Sequence, residues 1–128
     1  MAFTHIFAQS LVTPEEQLVD SGTSYTGDTV TAINTTVAAN GGGANAVAVA
    51  FTAAGLQSMG LLADVPCVVT LTGATVINGV TIGTVTLVAG AIFHVTSITG
   101  NVTAISVGAN TTGSGAAGTI KINVLFNS

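Results

Sequence analysis

The stretch that decides the fold is TIKINVLF, residues 119–126. Every second position carries an apolar side chain, namely Ile120, Ile122, Val124 and Phe126. The positions between them include the polar residues Lys121 and Asn123. Because successive side chains of a β-strand point to opposite faces, this alternation predicts a strand with one buried and one exposed face.

Similar short alternating runs follow one another from Ser24 onward, separated by Gly and Asn at intervals typical of sandwiches and barrels. Thr, Val and Ile are plentiful, and branching at their Cβ atoms favours strands. The clearest turn is Asn78-Gly79, because both residues tolerate the positive φ angles of a two-residue type I′ turn. We therefore predict an all-β fold, a single antiparallel β-sandwich that is jelly-roll-like and has about seven to nine strands.

The N-terminal segment has a different pattern, and we divide the chain there. Residues 1–23 are predicted to form an arm with a short helical turn, and residues 24–128 the β-sandwich domain. The helical turn is predicted from residues 13–16, TPEE, which combine a capping hydroxyl, Pro at the first helical position and acids near the positive end of the helix dipole. Asp20-Ser21-Gly22 is expected to end it within two turns.

Three apolar residues of the arm, Phe3, Ile6 and Phe7, are the predicted partner contacts. In an extended chain Phe3 and Phe7 lie on the face opposite to Ile6, so all three cannot point into one sandwich. At least one apolar side therefore needs cover from outside the domain's own core. A neighbouring subunit or a larger shell is the simplest source of that cover.

Charge is scarce along the whole chain: only one Lys or Arg and five Asp or Glu occur among 128 residues. A typical soluble domain is roughly a quarter charged. With a net charge of -4 and one Lys, the chain lacks the clustered basic residues that nucleic acids and anionic membranes require. The N-terminus has neither the basic start nor the apolar run of a secretory signal, which predicts synthesis in a cytoplasm.

No catalytic, cofactor or metal motif stands out, so the chain is predicted not to be an enzyme and to need no cofactor. His5 and His94 lie on apolar-looking strands without an acid or Cys at ligand spacing, which favours structural histidines over metal ligands. Asp20, Asp28 and Asp64 are too widely spaced for a calcium loop, although loop carbonyls could join one of them in an extended site. Cys67 is alone, so it forms no internal disulfide and is interpreted as a buried thiol.

Four segments of the C-terminal two-thirds carry a resemblance. They are residues 56–64 (LQSMGLLAD), 68–71 (VVTL), 86–90 (TLVAG) and 119–126 (TIKINVLF). Their order resembles that of small β-sandwich structural proteins of tailed bacteriophage virions. The resemblance implies a virion component that serves as a capsid decoration (cement) protein or as part of a fibre or tail.

These observations predict a non-enzymatic decoration protein on the capsid surface that binds the major capsid protein and stabilises the shell. A subunit at a capsid threefold position would be a homotrimer, because closed symmetric oligomers cover sheet edges and apolar patches together. The alternatives are a phage tail or head-fibre component, a carbohydrate-binding β-sandwich and a pilus-type subunit. A carbohydrate site would need an aromatic platform, and the chain has no Trp and one Tyr.

Overall fold

The computed structural model describes residues 2–12, 17–81 and 84–127. Twelve β-strands and no helix occur in these residues. The strands are β1 (Phe3–Val12), β2 (Gln17–Gly27), β3 (Thr29–Val37), β4 (Asn45–Val47), β5 (Leu56–Ala63), β6 (Cys67–Thr72), β7 (Val76–Ile77), β8 (Thr84–Leu87), β9 (Phe93–Val95), β10 (Ile98–Thr99), β11 (Ala104–Val107) and β12 (Gly118–Phe126).

Eight of these strands form two antiparallel four-stranded sheets, in the orders β3-β12-β5-β9 and β4-β11-β6-β8. The pairs β3 with β12, β4 with β11, β5 with β9 and β6 with β8 are nested within one another along the chain. Successive nested pairs go to alternate sheets, which is the pairing of a jelly roll. The predicted all-β antiparallel sandwich is therefore confirmed, although twelve strands exceed the predicted seven to nine.

The remaining strands lie outside the two sheets. Strands β1 and β2 form a long antiparallel hairpin, and β7 pairs with β10 over two residues. Strand β2 ends at Gly27 and β3 begins at Thr29, so the hairpin leads directly into the sandwich. The described residues contain no helix, and therefore no helix that is long and apolar enough to span a membrane.

The core lies between the two sheets and is built from small and branched side chains. Its largest fully buried members include Met59, Leu61, Leu71, Leu87, Ile105, Ile120 and Ile122. On β12, Ile120, Ile122 and Val124 face this core, while Lys121 and Asn123 are exposed, as the alternation predicts. Cys67 is also buried as predicted, and burial raises the pKa of its thiol.

The Asn78-Gly79 turn is confirmed. Asn78 has φ of 50° and Gly79 has φ of 80°, and the backbone N–H of Val80 donates to the carbonyl of Ile77 at 3.0 Å. The Asn78 side chain also accepts a hydrogen bond from the Thr96 backbone N–H and donates one to the His94 carbonyl. The turn therefore fixes strand β9 as well as closing its own hairpin.

The predicted helical turn is wrong where it can be compared with the structure. Residues 13–16, which carry the helix-start signal, lie outside the described residues. Residues 17–22, where the turn was expected to continue and end, belong to β2 and pair with β1. The ladder pairs Val12 with Gln17 and continues to Phe3 with Gly27, and this long-range pairing overrides the local helix signal.

The loop between β11 and β12 is held in place by hydrogen bonds within its own chain. Asn110 is buried, its backbone N–H donates to the Ala38 carbonyl at 2.8 Å, and its side-chain amide donates to the Ala116 carbonyl at 2.9 Å. The Asn40 side chain donates in turn to the Asn110 carbonyl. One buried amide thus replaces the apolar packing that this loop lacks.

Substituting Ile122 tests the face assignment of β12. Ile122→Asp would place an unpaired carboxylate in the core, where burial costs several kcal/mol out of the roughly 5–15 kcal/mol that hold a domain together. We expect the variant to lose most of its free energy of unfolding in urea denaturation. The matched control Asn123→Asp adds the same carboxylate on the exposed face and should change stability little. Equal damage from both would contradict the assigned register.

Candidate functional site

The β1–β2 hairpin covers part of the outer face of the β3-β12-β5-β9 sheet. Leu125 and Ser58 point to that outer face, opposite to the core, yet they are only 0% and 1% exposed. Gly27, at the end of the hairpin, is also buried, and a Cβ placed on it would lie 3.1 Å from Leu125 Cγ. The sandwich is therefore covered on this side by a third layer that the N-terminal segment supplies.

The register of the sheet strands determines which residues lie beneath the hairpin, and we call these residues the floor of the site. Asn123 on β12 lies opposite Gly60 on β5, and Gly60 lies opposite His94 on β9, so the three residues form one row across the sheet. In the next row Lys121 lies opposite Leu62. A Cβ built on Gly60 would have no other heavy atom within 4 Å, so the middle of the floor is open space.

His94 is the residue that ties the hairpin to the sheet. Its ring stacks on Phe7 of β1, with ring centroids 4.3 Å apart and planes 16° apart, and Tyr25 of β2 contacts it edge-on at 5.1 Å. The Nε2 atom of His94 lies 2.8 Å from the Ser58 hydroxyl oxygen on β5. Both hairpin strands and two sheet strands therefore meet at one imidazole.

Between hairpin and sheet lies a cavity of about 340 Å³. Its lining is mixed: the polar residues are Thr4, His5, Ser58, His94, Lys121 and Asn123, and the apolar ones include Ile6, Phe7, Leu62 and Ile92. A second cavity of about 290 Å³ shares Leu62 and Lys121 with the first and reaches Asp64. The two cavities therefore lie next to each other, with Leu62 and Lys121 between them.

The surroundings of His5 and His94 in the first cavity favour the neutral form of both side chains. Burial lowers the pKa of His5 below its ordinary value. The pKa of His94 is lowered first by burial and then by the charge of His5. Because both pKa values lie below the ordinary value of 6.5, both rings are neutral near pH 7, and Lys121 supplies the positive charge of the cavity wall.

The contact between Ser58 and His94 has the spacing of a nucleophile and its base, so its chemistry must be weighed. Such a pair needs a third group that orients the base, and the side chain of His94 hydrogen-bonds only to Ser58 among the described residues. The Ser58 hydroxyl is also almost completely buried. The geometry is that of a satisfied polar contact linking β5 to β9.

A metal site does not form from the described residues either, since no three of their His, Cys, Asp and Glu side chains lie close enough to hold an ion. Asp64, one of the acids considered from the sequence, accepts hydrogen bonds from the Thr119 backbone N–H at 2.8 Å and the Thr119 hydroxyl at 3.3 Å. Its carboxylate therefore anchors the start of β12. The side chain of Asp20 lies outside the described part of the chain.

The three predicted partner contacts do not share one environment. Phe3 and Phe7 are half-buried on the side of β1 that faces the sheet, and Phe7 stacks on His94. Ile6 is 71% exposed on the opposite side. The structure thus provides cover for two of the three residues from within the chain and leaves Ile6 as the outward apolar side chain of the hairpin.

Sequence reasoning missed the meeting of His5, His94 and Lys121. It treated the two histidines separately, because they lie at opposite ends of the chain on strands that pair with different partners. The available signal was the phase of each strand: His94 alternates with the core residue Val95, and Lys121 with Ile120 and Ile122. That phase places both on an outer face without showing that it is the same face.

Comparison with known proteins gave no match: no family model, no curated protein sequence and no solved structure is significantly similar to this chain.

The lowered pKa values of His5 and His94 make the stability of the folded protein depend on pH. Both folded-state pKa values lie below the ordinary value of 6.5, so the unfolded chain binds more protons as the pH falls below that value. We expect the melting temperature to fall between about pH 7 and about pH 5.5, above the range where carboxylates titrate. The double variant His5→Gln, His94→Gln, which retains hydrogen-bonding groups, should flatten this dependence. An unchanged slope in the variant would contradict the assignment.

Proposed function

We propose that this chain is a non-enzymatic structural subunit of a bacteriophage virion, and that it is a decoration protein bound to the outside of the major capsid shell. The observation that carries the proposal is a long uncharged sheet edge on a jelly roll whose surface has very few charges. The resemblance of four sequence segments to virion β-sandwich proteins supports the same class. Jelly rolls occur in viral capsid domains, and also in lectins and cupins, so the fold alone does not choose between them.

The edge in question is strand β3, Thr29–Val37. It has nine residues, pairs with β12 on one side, and has no second partner among the described strands. Its sequence, TVTAINTTV, contains no charge and no Pro, and its ladder with β12 has no bulge. The other three sheet edges, β4, β8 and β9, are only three or four residues long.

Natural proteins protect sheet edges by shortness, charge, Pro or bulges, and β3 has none of these. A protein that remains soluble with such an edge is expected to pair or cover it in its assembled form. We propose that copies of the chain cover it in a homotrimer that forms on the capsid or in solution. The small number of charges leaves this association governed by shape and apolar area rather than by electrostatic steering.

The outer face of the hairpin supplies a second contact surface, which we assign to the capsid. Ile6 is the most exposed large apolar side chain among the described residues. Phe7 stacks on His94 and holds the hairpin against the sheet, so Ile6 is presented on a supported strand rather than on a free arm. The partner contact predicted at Phe3, Ile6 and Phe7 is thereby refined to Ile6 as the direct contact, with Phe7 as its support.

Localisation on the particle tests the proposed function directly. Gold-labelled antibodies against the purified protein should bind the heads of the source phage evenly in electron micrographs. Labelling confined to tails or to fibres attached to the head would favour the alternative virion roles. Labelling of host pili, with unlabelled phage, would contradict the proposal.

Substituting Ile6 tests the capsid contact. Burial of one Ile side chain is worth about 1.5–3 kcal/mol, so Ile6→Asp should weaken co-sedimentation with undecorated heads by roughly tenfold or more. The matched control is Val88→Asp, because Val88 is a similarly exposed apolar residue at 68% that lies beyond β8. Both variants should keep the melting temperature of the unmodified protein. Equal binding by Ile6→Asp and the control would show that the capsid contact lies elsewhere.

A further inference from the structure

All the side chains of this protein that can carry positive charge meet in one place. The chain has one Lys or Arg, which is Lys121, and two histidines, His5 and His94. All three line the cavity of about 340 Å³ between the hairpin and the sheet. They come from three different strands, β1, β9 and β12, so no local sequence feature brings them together. In a chain with a net charge of -4, every basic side chain is thus concentrated at one site.

We propose that this cavity binds a small oxyanion, that is, a carboxylate or phosphate group carried by a molecule up to the size of a monosaccharide. The site is a property of the single chain and goes beyond the proposed virion role. The test of this site is therefore independent of the test of capsid binding.

The charge of Lys121 is available to such a ligand. Lys121 is exposed on β12 and makes no ion pair within the described part of the chain. Asp64, which lines the second cavity together with Lys121, uses its carboxylate oxygens to accept hydrogen bonds from Thr119. An ammonium group without a carboxylate partner, on the wall of a cavity, is a suitable donor to an oxyanion.

The other groups of the cavity complete a recognition site. Asn123 adds a neutral hydrogen-bonding group on the wall. The glycine at position 60 leaves the centre of the floor open, which gives the ligand room to approach the sheet. Ile92 is exposed at this cavity and would contact the uncharged part of the ligand. The volume lies at the lower end of the range for small-molecule sites, about 300–1,000 Å³.

Binding of an oxyanion is linked to proton uptake by the histidines. The groups that face His94 are His5 and Phe7 from β1, Tyr25 from β2 and Ser58 from β5, and Lys121 lines the same cavity from β12. None of these is a carboxylate, so an incoming anion would be the first negative charge beside the two rings among the described residues. It would stabilise their protonated forms and raise their pKa values, and by linkage it would bind more tightly as the pH falls.

The experiment uses the full chain and three probes: inorganic phosphate, glucuronate, and glucose as the neutral counterpart of glucuronate. Binding is measured by calorimetry at about pH 6 and about pH 8, and the histidine resonances are followed by NMR in pH titrations. We expect phosphate or glucuronate to bind, more tightly at the lower pH, and to raise the pKa of both His5 and His94. Glucose should do neither. The comparison of phosphate with glucuronate shows which oxyanion the site prefers.

Two variants and one control test whether the oxyanion binds in this cavity. Lys121→Met should weaken binding by about tenfold to a hundredfold, the range expected for loss of one charge-assisted hydrogen bond. Gly60→Val should abolish binding by filling the floor while leaving every charge in place. The control Thr86→Glu makes the net charge more negative by one unit, as Lys121→Met does, but at an exposed position on β8 in the other sheet.

Specific outcomes overturn the proposal. It fails if no probe moves the histidine resonances, if glucose binds as tightly as glucuronate, or if Lys121→Met and Thr86→Glu weaken binding equally. The last result would show a response to net charge rather than a site. Melting curves of the variants establish that each one is folded, so loss of binding in a folded Lys121→Met or Gly60→Val protein supports the site.

Discussion

The pairing of β12 on both of its sides is the constraint on which the rest of the structure depends. One edge pairs with β3 from Gly118 to Phe126, and the other pairs with β5. Because side chains alternate with a period of two, a slip of one residue would move Lys121 into the core and Ile122 into water. The hydrophobic pattern of a single strand therefore fixes the register of three strands, and with it the order of the whole sheet.

The same register creates a difficulty on the outer face, which the hairpin resolves. Leu125 departs from the polar pattern of its face and would be exposed on a bare sandwich. The β1–β2 hairpin covers it together with Ser58, and the stacking of Phe7 on His94 holds the hairpin in place. The cover is incomplete, since Gly60 contributes no side chain to fill the space below β1. The cavity is the consequence of a hairpin that spans the sheet without packing into its centre.

The scarcity of charge gives each charged group unusual weight. Asp64 anchors the start of β12 through Thr119, and Lys121 lines both cavities. Elsewhere, neutral side chains make the stabilising contacts that ion pairs and apolar packing make in other domains. Hydrogen bonds of Asn110 and Asn40 hold the loop before β12, and a hydrogen bond of Asn78 fixes β9. A surface built from Thr, Asn and small apolar residues leaves the long β3 edge unprotected. That edge is the structural basis of our proposal that the chain belongs to an assembly.

The sequence by itself determined the elements whose signal is local. The alternation around Ile122, the Asn78-Gly79 turn and the small branched core are properties of neighbouring residues, so they predict an antiparallel sandwich correctly. Tertiary structure decided everything that depends on pairing between distant segments. Residues 17–22 extend as a strand because β1 supplies hydrogen-bond partners along their length, and a local helix signal carries no information about such a partner. His5, His94 and Lys121 share one cavity because sheet register and hairpin docking bring three strands together, and neither can be read from the spacing of residues along the chain.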